Sequence, residues 1–207
     1  MSLITPAQLK QCAPTLTDQR AATMAGLLNT VCPRYGIDTK DEFHEFLANV
    51  LQESGEFAHK VENMRYTSAR RIRAIWPSRF KTEADALPYV NNPVELANLV
   101  YGGRMGNDRQ GEGWRFRGGG FIGLTGKEVY SKYARYLNMP VGQVAELVRT
   151  DDKYALDSAA WFFAVLKGLN DEAERDEMAK IIRSINGGMI GADVRMKYYE
   201  RVKKYVI

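Results

Sequence analysis

The sequence predicts a mostly α-helical protein with one small irregular or hairpin lobe. Three observations favour this fold class: apolar residues recur at helical spacing along most of the chain, helix-start signals precede these runs, and no long stretch alternates apolar and polar residues as a strand does. With 207 residues, 45% of them hydrophobic, the chain is long enough for one full core. We therefore expect a single domain over residues 1–207.

Several helix starts can be identified directly from the sequence. Residues 5–8 and 39–42 both read as capping boxes, and the first of them also has a proline at the first helical position. Asn92 and Pro93 predict a helix that runs through Tyr101. Residues 125–128, Thr-Gly-Lys-Glu, predict one more helix that begins with a capping box.

Apolar periodicity predicts the remaining helices. One run covers residues 21–31, and a second is marked by Met178, Ile181, Ile182 and Ile185. Residues 155–166 are apolar on nearly every face, so we expect them to form the central buried helix. The last helix is basic and amphipathic, with an apolar face formed by Val194, Tyr198, Val202 and Tyr205. Residues 114–125 are the only candidate for sheet, as a small hairpin.

Composition narrows the classes of partner. A net charge of +4 favours anionic partners only weakly, and no basic stripe interleaved with aromatics indicates nucleic-acid binding. We expect a monomer with at most peripheral contact with an anionic membrane, through its last helix. Residues 1–8 do not resemble a secretory signal. If the target lies outside the cytoplasm, another component must therefore deliver the protein.

The histidines and cysteines do not form a recognisable metal site. His44 and His59 lack neighbours at ligand spacing, and Cys12 and Cys32 are not arranged as a C-x-x-C pair. We expect no metal and no cofactor, and we expect both cysteines to be buried free thiols.

Two glutamates stand out beside a predicted helix. Apolar side chains recur at helical spacing from Phe43 to Leu51, and Glu53 follows at the edge of this stripe, just before the helix-ending Gly55. A carboxyl half-sunk in apolar surroundings is stabilised in its protonated form, as a general acid requires. Glu62 lies nine positions further on, within a polar loop. Such pairs of carboxyls perform glycoside hydrolysis, although many ordinary helices end in the same way.

Several motifs together resemble glycoside hydrolase family 19, the chitinase-like enzymes. The motifs are Y-G-G-R-M-G-N at 101–107, G-W-R-F-R-G-G-G-F-I-G-L-T-G at 113–126, E-S-G-E-F at 53–57, E-N-M-R-Y at 62–66, I-W-P-S-R-F at 75–80 and I-N-G-G at 185–188. The resemblance covers about residues 20–205 and is strongest to the branch of bacteriophage endolysins and prophage lytic enzymes. It implies an α+β lysozyme-like fold in which the small lobe flanks a substrate cleft.

The resemblance also implies roles for individual residues. Glu53 matches the general acid, Glu62 the general base, and Thr125 the hydroxyl that helps to hold the attacking water. The capping box expected at residues 125–128 is a second explanation for the threonine. The residues that match the substrate-binding positions are Tyr66, Trp114, Tyr130, Asn186 and Arg195.

The chain departs from the family pattern at three positions. Gly119 replaces an arginine, Gly123 a glutamine, and Val129 an asparagine. Because the glutamine and asparagine contact sugar in the chitinases, their loss predicts a roomier and less polar cleft. The leading interpretation is an endolysin that hydrolyses β-1,4 bonds of peptidoglycan glycan strands with inversion. The resemblance then implies synthesis in a host cytoplasm and action on the cell wall in the periplasm, after release through a membrane pore. A chitinase, a lytic transglycosylase with a single catalytic acid, and a non-catalytic cell-wall-binding module remain alternatives.

Overall fold

The computed structural model of the chain describes residues 2–189 and 191–206, apart from the side chain of Asn186. These residues are mostly helical and contain no extended strand, as the sequence predicts. The α-helices are α1 Pro6–Cys12, α2 Asp18–Val31, α3 Lys40–Ser54, α4 Ala69–Ile75, α5 Glu83–Ala86, α6 Pro93–Tyr101, α7 Glu112–Arg115, α8 Lys127–Tyr136, α9 Val141–Thr150, α10 Asp152–Trp161, α11 Asn170–Glu174, α12 Met178–Asn186 and α13 Ala192–Tyr205.

The chain folds into two compact units. The first unit comprises Met1–Lys60, Gly120–Gly123 and Val148–Ile207, and the second comprises Val61–Gly119 and Leu124–Leu147. Helix α9 begins in the second unit and ends in the first. One catalytic domain over residues 1–207 stays a prediction.

Helix α3 is the core of the first unit, where it packs against α11 and α13. Every residue from Glu42 to Leu51 is buried. The buried surface of α3 is therefore wider than the single apolar stripe that the sequence predicts. It also includes the polar side chains of His44, Glu45 and Asn49. Buried polar groups need hydrogen-bond partners. His44 Nε2 lies 2.7 Å from the Val206 carbonyl oxygen, which ties the end of the chain to α3.

The helix-start signals are confirmed at three of four places. Capping boxes at Thr5 and Thr39 begin α1 and α3, and Pro93 is the first residue of α6. The capping box predicted at Thr125 is wrong. Helix α8 has Gly126 as its N-cap, without a side-chain cap, and the Glu128 amide donates to the Met105 carbonyl.

The position of the last helix is as predicted, and its predicted face is correct in part. Val202 is buried and Tyr198 packs partly buried against the core, whereas Val194 is exposed. Arg195 and Tyr199, which were not predicted, complete the buried face of α13. A buried arginine is unexpected from hydropathy alone. Its burial is explained by its two polar partners, Asn49 and Glu53. The predicted central helix is α10, buried from Ala155 to Trp161, and it continues as a π-helical segment, Phe162–Leu166.

The second unit is built from short helices around its own core, which includes Met64, Ile72, Phe80, Leu96 and Val100. The predicted hairpin is reduced to single bridges. Gly119 and Leu124 exchange two backbone hydrogen bonds of 3.0 and 2.7 Å, and Gly119 also forms an antiparallel bridge with Val61.

The structure contains five helices that the sequence analysis did not predict, namely α4, α5, α7, α9 and α11. Four of them span only four to seven residues, too short for apolar periodicity to reveal. Pro140, just before α9, was a usable start signal. Within residues 2–189 and 191–206, no helix has the length and apolar character that crossing a membrane requires.

Candidate active site

Glu53 is the next-to-last residue of α3, where the chain reverses sharply. Gly55, Glu56 and Phe57 follow with φ of +56°, +59° and +63°, all in the left-handed region. For the two non-glycine residues this conformation costs roughly 1 kcal/mol or more each. The Phe57 amide donates to Ser54 Oγ at 2.8 Å, which helps to hold the reversal in place.

Glu56 anchors this reversal to the rest of the first unit. Its buried carboxylate accepts hydrogen bonds from the Thr15 amide at 3.0 Å and from the Tyr198 hydroxyl at 3.1 Å. It also pairs with Arg201 at 3.6 Å. These contacts offset the cost of the left-handed backbone, so the end of α3 next to Glu53 is fixed.

The Glu53 carboxylate forms an ion pair with Arg195. Its expected apolar surroundings are therefore wrong. Arg195 is buried in α13, and its other terminal nitrogen donates to Asn49 Oδ1 at 2.6 Å. Asn49 lies one helical turn before Glu53 on α3, so a single guanidinium bridges two neighbouring side chains of this helix. The observed role of Arg195 is to position Glu53; its contact with substrate stays a prediction.

Glu62 lies in the second unit and is held by two donors. The Tyr101 hydroxyl, at the end of α6, donates to Oε1 at 2.6 Å, and the Gly118 amide donates to Oε2 at 3.0 Å. The Glu62 amide in turn donates to the Gly118 carbonyl at 2.9 Å. Both carboxylate oxygens are thereby oriented.

Gly118 brings Glu62 and Thr125 to the same place in the second unit. A Cβ atom at this position would lie 3.0 Å from Glu62 Cβ and 3.5 Å from Thr125 Oγ1. Because Gly118 has no Cβ, the loop lies this close to the glutamate without displacing it. The structure thus places the Glu62 carboxylate and the Thr125 hydroxyl beside the same glycine.

Tyr101 is a residue of this site that the sequence interpretation missed. Burial, followed by the hydrogen bond to Glu62, raises the pKa of Tyr101 far above its ordinary value, so its hydroxyl remains a donor. It belongs to the motif at 101–107 that had already been singled out. Asn107 of that motif supports it, because its side chain donates to the Tyr101 carbonyl at 2.9 Å and accepts from the Lys127 amide at 2.9 Å.

Three predicted substrate-binding residues also lie in the second unit. Trp114 is half-buried and stacks with Arg117, whose guanidinium carbon lies 3.4 Å from the ring centroid. Tyr130 is fully buried, and its hydroxyl donates to the Arg117 carbonyl at 3.2 Å. Tyr66 packs edge-on against Trp76, and burial, followed by the charge of Glu62, raises its pKa.

Their contacts assign Trp114 and Tyr130 a packing role, while sugar binding by Tyr66, Trp114 and Tyr130 stays a prediction. The side chain of Asn186 lies outside the described residues. Glu53 and Arg195 belong to the first unit, whereas Glu62 and Thr125 belong to the second.

The three residues that depart from the family pattern, Gly119, Gly123 and Val129, have different surroundings in the structure. A Cβ at Gly123 would meet no atom within 4 Å, although its φ of +73° disfavours other residues. Gly119 uses its backbone to bond Leu124. Val129 lies in α8, immediately before the buried Tyr130.

The described residues contain no group of three or more His, Cys, Asp and Glu that would hold a metal ion. Cys12 and Cys32 are buried free thiols, as predicted. Burial raises the pKa of Cys12 to about 12, which keeps that thiol protonated and unreactive.

Comparison with solved structures defines the class of this fold. A bacterial family 19 chitinase matches with a TM-score of 0.65 and 20% identity, over 99% of this chain and 95% of that one. Chitinase C from Streptomyces griseus HUT6037 matches with a TM-score of 0.65 and 18% identity, over 99% and 77% of the two chains. The fold is therefore the lysozyme-like fold of the family 19 chitinases.

Sequence comparison identifies the family. A glycosyl hydrolase family 19 domain-containing protein of Haemophilus influenzae (strain ATCC 51907 / DSM 11121 / KW20 / Rd) is 32% identical over 156 residues, which is 74% of each chain. No protein-family model matches the sequence. The chain belongs to glycosyl hydrolase family 19 and is a glycoside hydrolase.

Proposed function

We propose that this glycoside hydrolase cleaves β-1,4 glycosidic bonds in the glycan strands of bacterial peptidoglycan, as a lysozyme-type endolysin of bacteriophage origin. In this proposal it acts as a monomer on the cell wall in the periplasm. Glu53 is the general acid, Glu62 is the general base, and Thr125 helps to hold the attacking water.

The arrangement around Glu62 carries the proposal. A general base must present an oriented carboxylate to a water molecule, and a nearby hydroxyl can fix that water. Tyr101 and Gly118 orient the carboxylate of Glu62, and Thr125 Oγ1 borders the same glycine. The capping box that offered another explanation for Thr125 is absent, since Gly126 caps α8.

The proposed reaction is a single displacement at the anomeric carbon. Glu62 takes a proton from water as the water oxygen bonds to that carbon, and the bond to the leaving oxygen breaks. Glu53 donates a proton to the leaving oxygen. Both products are neutral alcohols or hemiacetals, and the configuration at the anomeric carbon inverts. Arg195 and Asn49 contribute by fixing Glu53 on α3.

Two observations support peptidoglycan as the substrate. The space at Gly123 leaves room where the family has a glutamine, which suits a bulky lactyl-peptide substituent on the sugar. The second unit also carries thirteen Lys and Arg against eight Asp and Glu. Such a surface favours an anionic polymer over an uncharged one.

The test compares the reducing ends released from purified peptidoglycan with those released from chitin oligomers at equal sugar concentration. The proposal predicts faster release from peptidoglycan. Faster turnover of chitin would overturn the substrate assignment and favour the second candidate, a chitinase that uses the same residues. The observation in favour of that candidate is that the two solved structures of similar fold described above are chitinases.

A lytic transglycosylase is separated from a hydrolase by its products. It needs one catalytic acid and yields anhydro-sugars, whereas the proposed mechanism requires Glu62 and yields reducing ends. Glu62→Gln is therefore expected to lose activity. Retained activity with anhydro products would establish a transglycosylase instead.

A further inference from the structure

Helix α4 and the loop after it carry five cationic side chains. Arg70, Arg71 and Arg73 lie on α4, and Arg79 and Lys81 precede α5. All five residues are exposed. In the part of the chain that the structure describes, none of them forms an ion pair with a carboxylate. Like charges held close together repel, so such a cluster is favourable mainly when an anion binds to it.

Pairing is mixed among the cations elsewhere in the described residues. Some have a carboxylate partner, as in Lys10–Asp18, Arg20–Asp152, Lys60–Asp152, Lys127–Glu112 and Lys132–Glu128. Two acidic residues follow the cluster, and neither forms an ion pair with it among the described residues. Asp85 accepts a hydrogen bond from the Thr82 amide at 2.8 Å and belongs to the capping box of α5. The hydrogen bonds to Thr82 and, more weakly, the charge of Arg73 lower the pKa of Asp85, so Asp85 balances only part of the positive charge.

Three of the five cations line one groove, which we call the cationic groove. Arg70 and Arg73 are three residues apart on α4 and so share a face. Together with Lys81 they border a cavity of about 380 Å³, and Ala74, Pro77, Phe80 and Glu83 complete its lining. Three positive charges therefore surround the cavity against one negative charge.

One of these guanidinium groups is held in place. Arg73 Nε donates to the Lys81 carbonyl at 3.0 Å, which links α4 to the loop across the groove. A guanidinium has five N–H donors, and the two terminal nitrogens match the geometry of a carboxylate. A partly anchored arginine loses less conformational entropy when it binds such an anion.

We propose that the cationic groove binds the carboxylates of the peptide side chains that a peptidoglycan strand carries. This inference rests on the proposed peptidoglycan substrate. Chitin has no charged substituent, so the groove favours the peptide-bearing polymer over the uncharged one. Binding here holds the strand on the second unit by charge-assisted hydrogen bonds, and we expect that binding to weaken with added salt.

The test measures binding of the full chain to insoluble peptidoglycan from which phosphate-containing wall polymers have been removed. Arg70→Ala/Arg73→Ala is compared with Lys132→Ala/Arg135→Ala, which removes the same charge from exposed positions of α8 in the same unit. The groove variant is expected to bind roughly tenfold more weakly than wild type, as the loss of charge-assisted contacts implies. The α8 variant is expected to bind as wild type does. Equal affinities of the two variants overturn the proposal, and equal thermal midpoints verify that both fold.

Two further substrates identify the group that is bound. On glycan strands freed of peptide, wild type and the groove variant are expected to bind equally. A difference that persists there overturns the peptide assignment. A difference seen only on walls that retain phosphate polymers overturns it in favour of phosphate. Release of reducing ends is measured separately, so a failure of the proposed hydrolysis is distinguished from a failure of the groove.

Discussion

Two uncharged residues orient the Glu62 carboxylate, each with one hydrogen bond. Tyr101 donates through its hydroxyl and Gly118 through its backbone amide. Neither interaction could be predicted from the sequence, because both partners are distant from Glu62 along the chain and no charge or spacing links them. The sequence identifies the motifs that contain Tyr101 and Gly118. It does not predict their contacts with Glu62, because those depend on how the loops fold together.

Replacing Tyr101 by phenylalanine tests its role. The change removes one hydrogen bond to a charged group and leaves the ring in place, so we expect a loss of about tenfold or more in kcat. KM is expected to change little, because the bond is proposed to orient the general base, Glu62, rather than the sugar. Steady-state kinetics on peptidoglycan fragments measure both quantities.

Tyr89→Phe is the matched control. Tyr89 packs edge-on against Phe80 and borders the same core as Tyr101, but among the described residues its hydroxyl makes no hydrogen bond to Glu62. Its variant is expected to retain the kcat of wild type. An unchanged kcat in Tyr101→Phe would show that the hydroxyl does not orient the base.

The sequence interpretation of Glu53 was incomplete at the same scale. The helix end and its glycine were predictable, because Gly55 ends α3 in the left-handed conformation. The ion pair with Arg195 was not, since a hydropathy pattern assigns arginines to the exposed face. Burial of this arginine depends on Asn49 and Glu53, two residues of α3 that only the tertiary fold brings to it.

Among the elements, α3 and α13 show where helical periodicity is informative and where it fails. Both helices were located from the sequence. The buried surface of α3 extends beyond its apolar stripe, because α11 and α13 cover it, and it includes Glu45. Periodicity records only the apolar residues, so polar side chains that tertiary contacts bury escape it.

Glu45 gives α3 a pH-dependent contribution to stability. Burial, followed by the neighbouring Asp176 carboxylate, raises the pKa of Glu45 to about 8 from the ordinary value of 4.5. The folded protein thus retains a proton that the unfolded chain releases between these values. Stability from this group therefore falls as the pH rises through that window, by at most about 1.4 kcal/mol per pH unit.

Glu45→Gln removes this titration. We expect the variant to become more stable relative to wild type as the pH rises from 5 to 8. Urea unfolding at each pH measures the difference in unfolding free energy. The exposed Glu174→Gln is the control and is expected to follow wild type. The comparison is between variants because burial lowers the pKa of His44, which gives a pH dependence of opposite sign. A constant difference between Glu45→Gln and wild type would contradict the assignment.

Helix α2 contains a glycine that its structure does not require. A Cβ at Gly26 meets no atom within 4 Å, and the residue lies in the helix interior. Gly26→Ala is expected to stabilise the protein by about 0.5–1 kcal/mol, because alanine loses less backbone entropy on folding. Thermal unfolding measures the change.

The opposite result is expected at Gly36, which has a φ of +66°. Gly36→Ala forces a side chain into the left-handed region and is expected to destabilise by about 1 kcal/mol or more. Equal effects of the two substitutions would show that backbone conformation does not decide them.

For the molecule as a whole, the distribution of charge is more informative than its total. A net charge of +4 predicted only a weak preference for anionic partners. The structure assigns sixteen Lys and Arg and seventeen Asp and Glu to the first unit, so the excess of positive charge belongs to the second. The second unit is almost one continuous stretch, interrupted only by Gly120–Gly123, so its excess of positive charge is also present in the sequence. Its bounds could not be predicted from the sequence, because they depend on tertiary contacts.

The family and the fold class were predictable because several motifs occur in order along most of the chain. The short helices of the second unit were not, since they are held by a small local core rather than by strong periodicity. The proposed preference for peptidoglycan rests on two separate features, the open space at Gly123 in the first unit and the positive charge of the second unit.

The central claim is hydrolysis of peptidoglycan with Glu53 as acid and Glu62 as base. Mass spectrometry of muropeptides released in ¹⁸O-labelled water tests it most directly, with wild type, Glu53→Gln and Glu62→Gln compared at equal thermal midpoints. We expect wild type to release fragments with one labelled reducing end, and each variant to lose about a hundredfold or more in rate. Unlabelled anhydro-sugars from wild type, or full activity in either variant, would contradict the account.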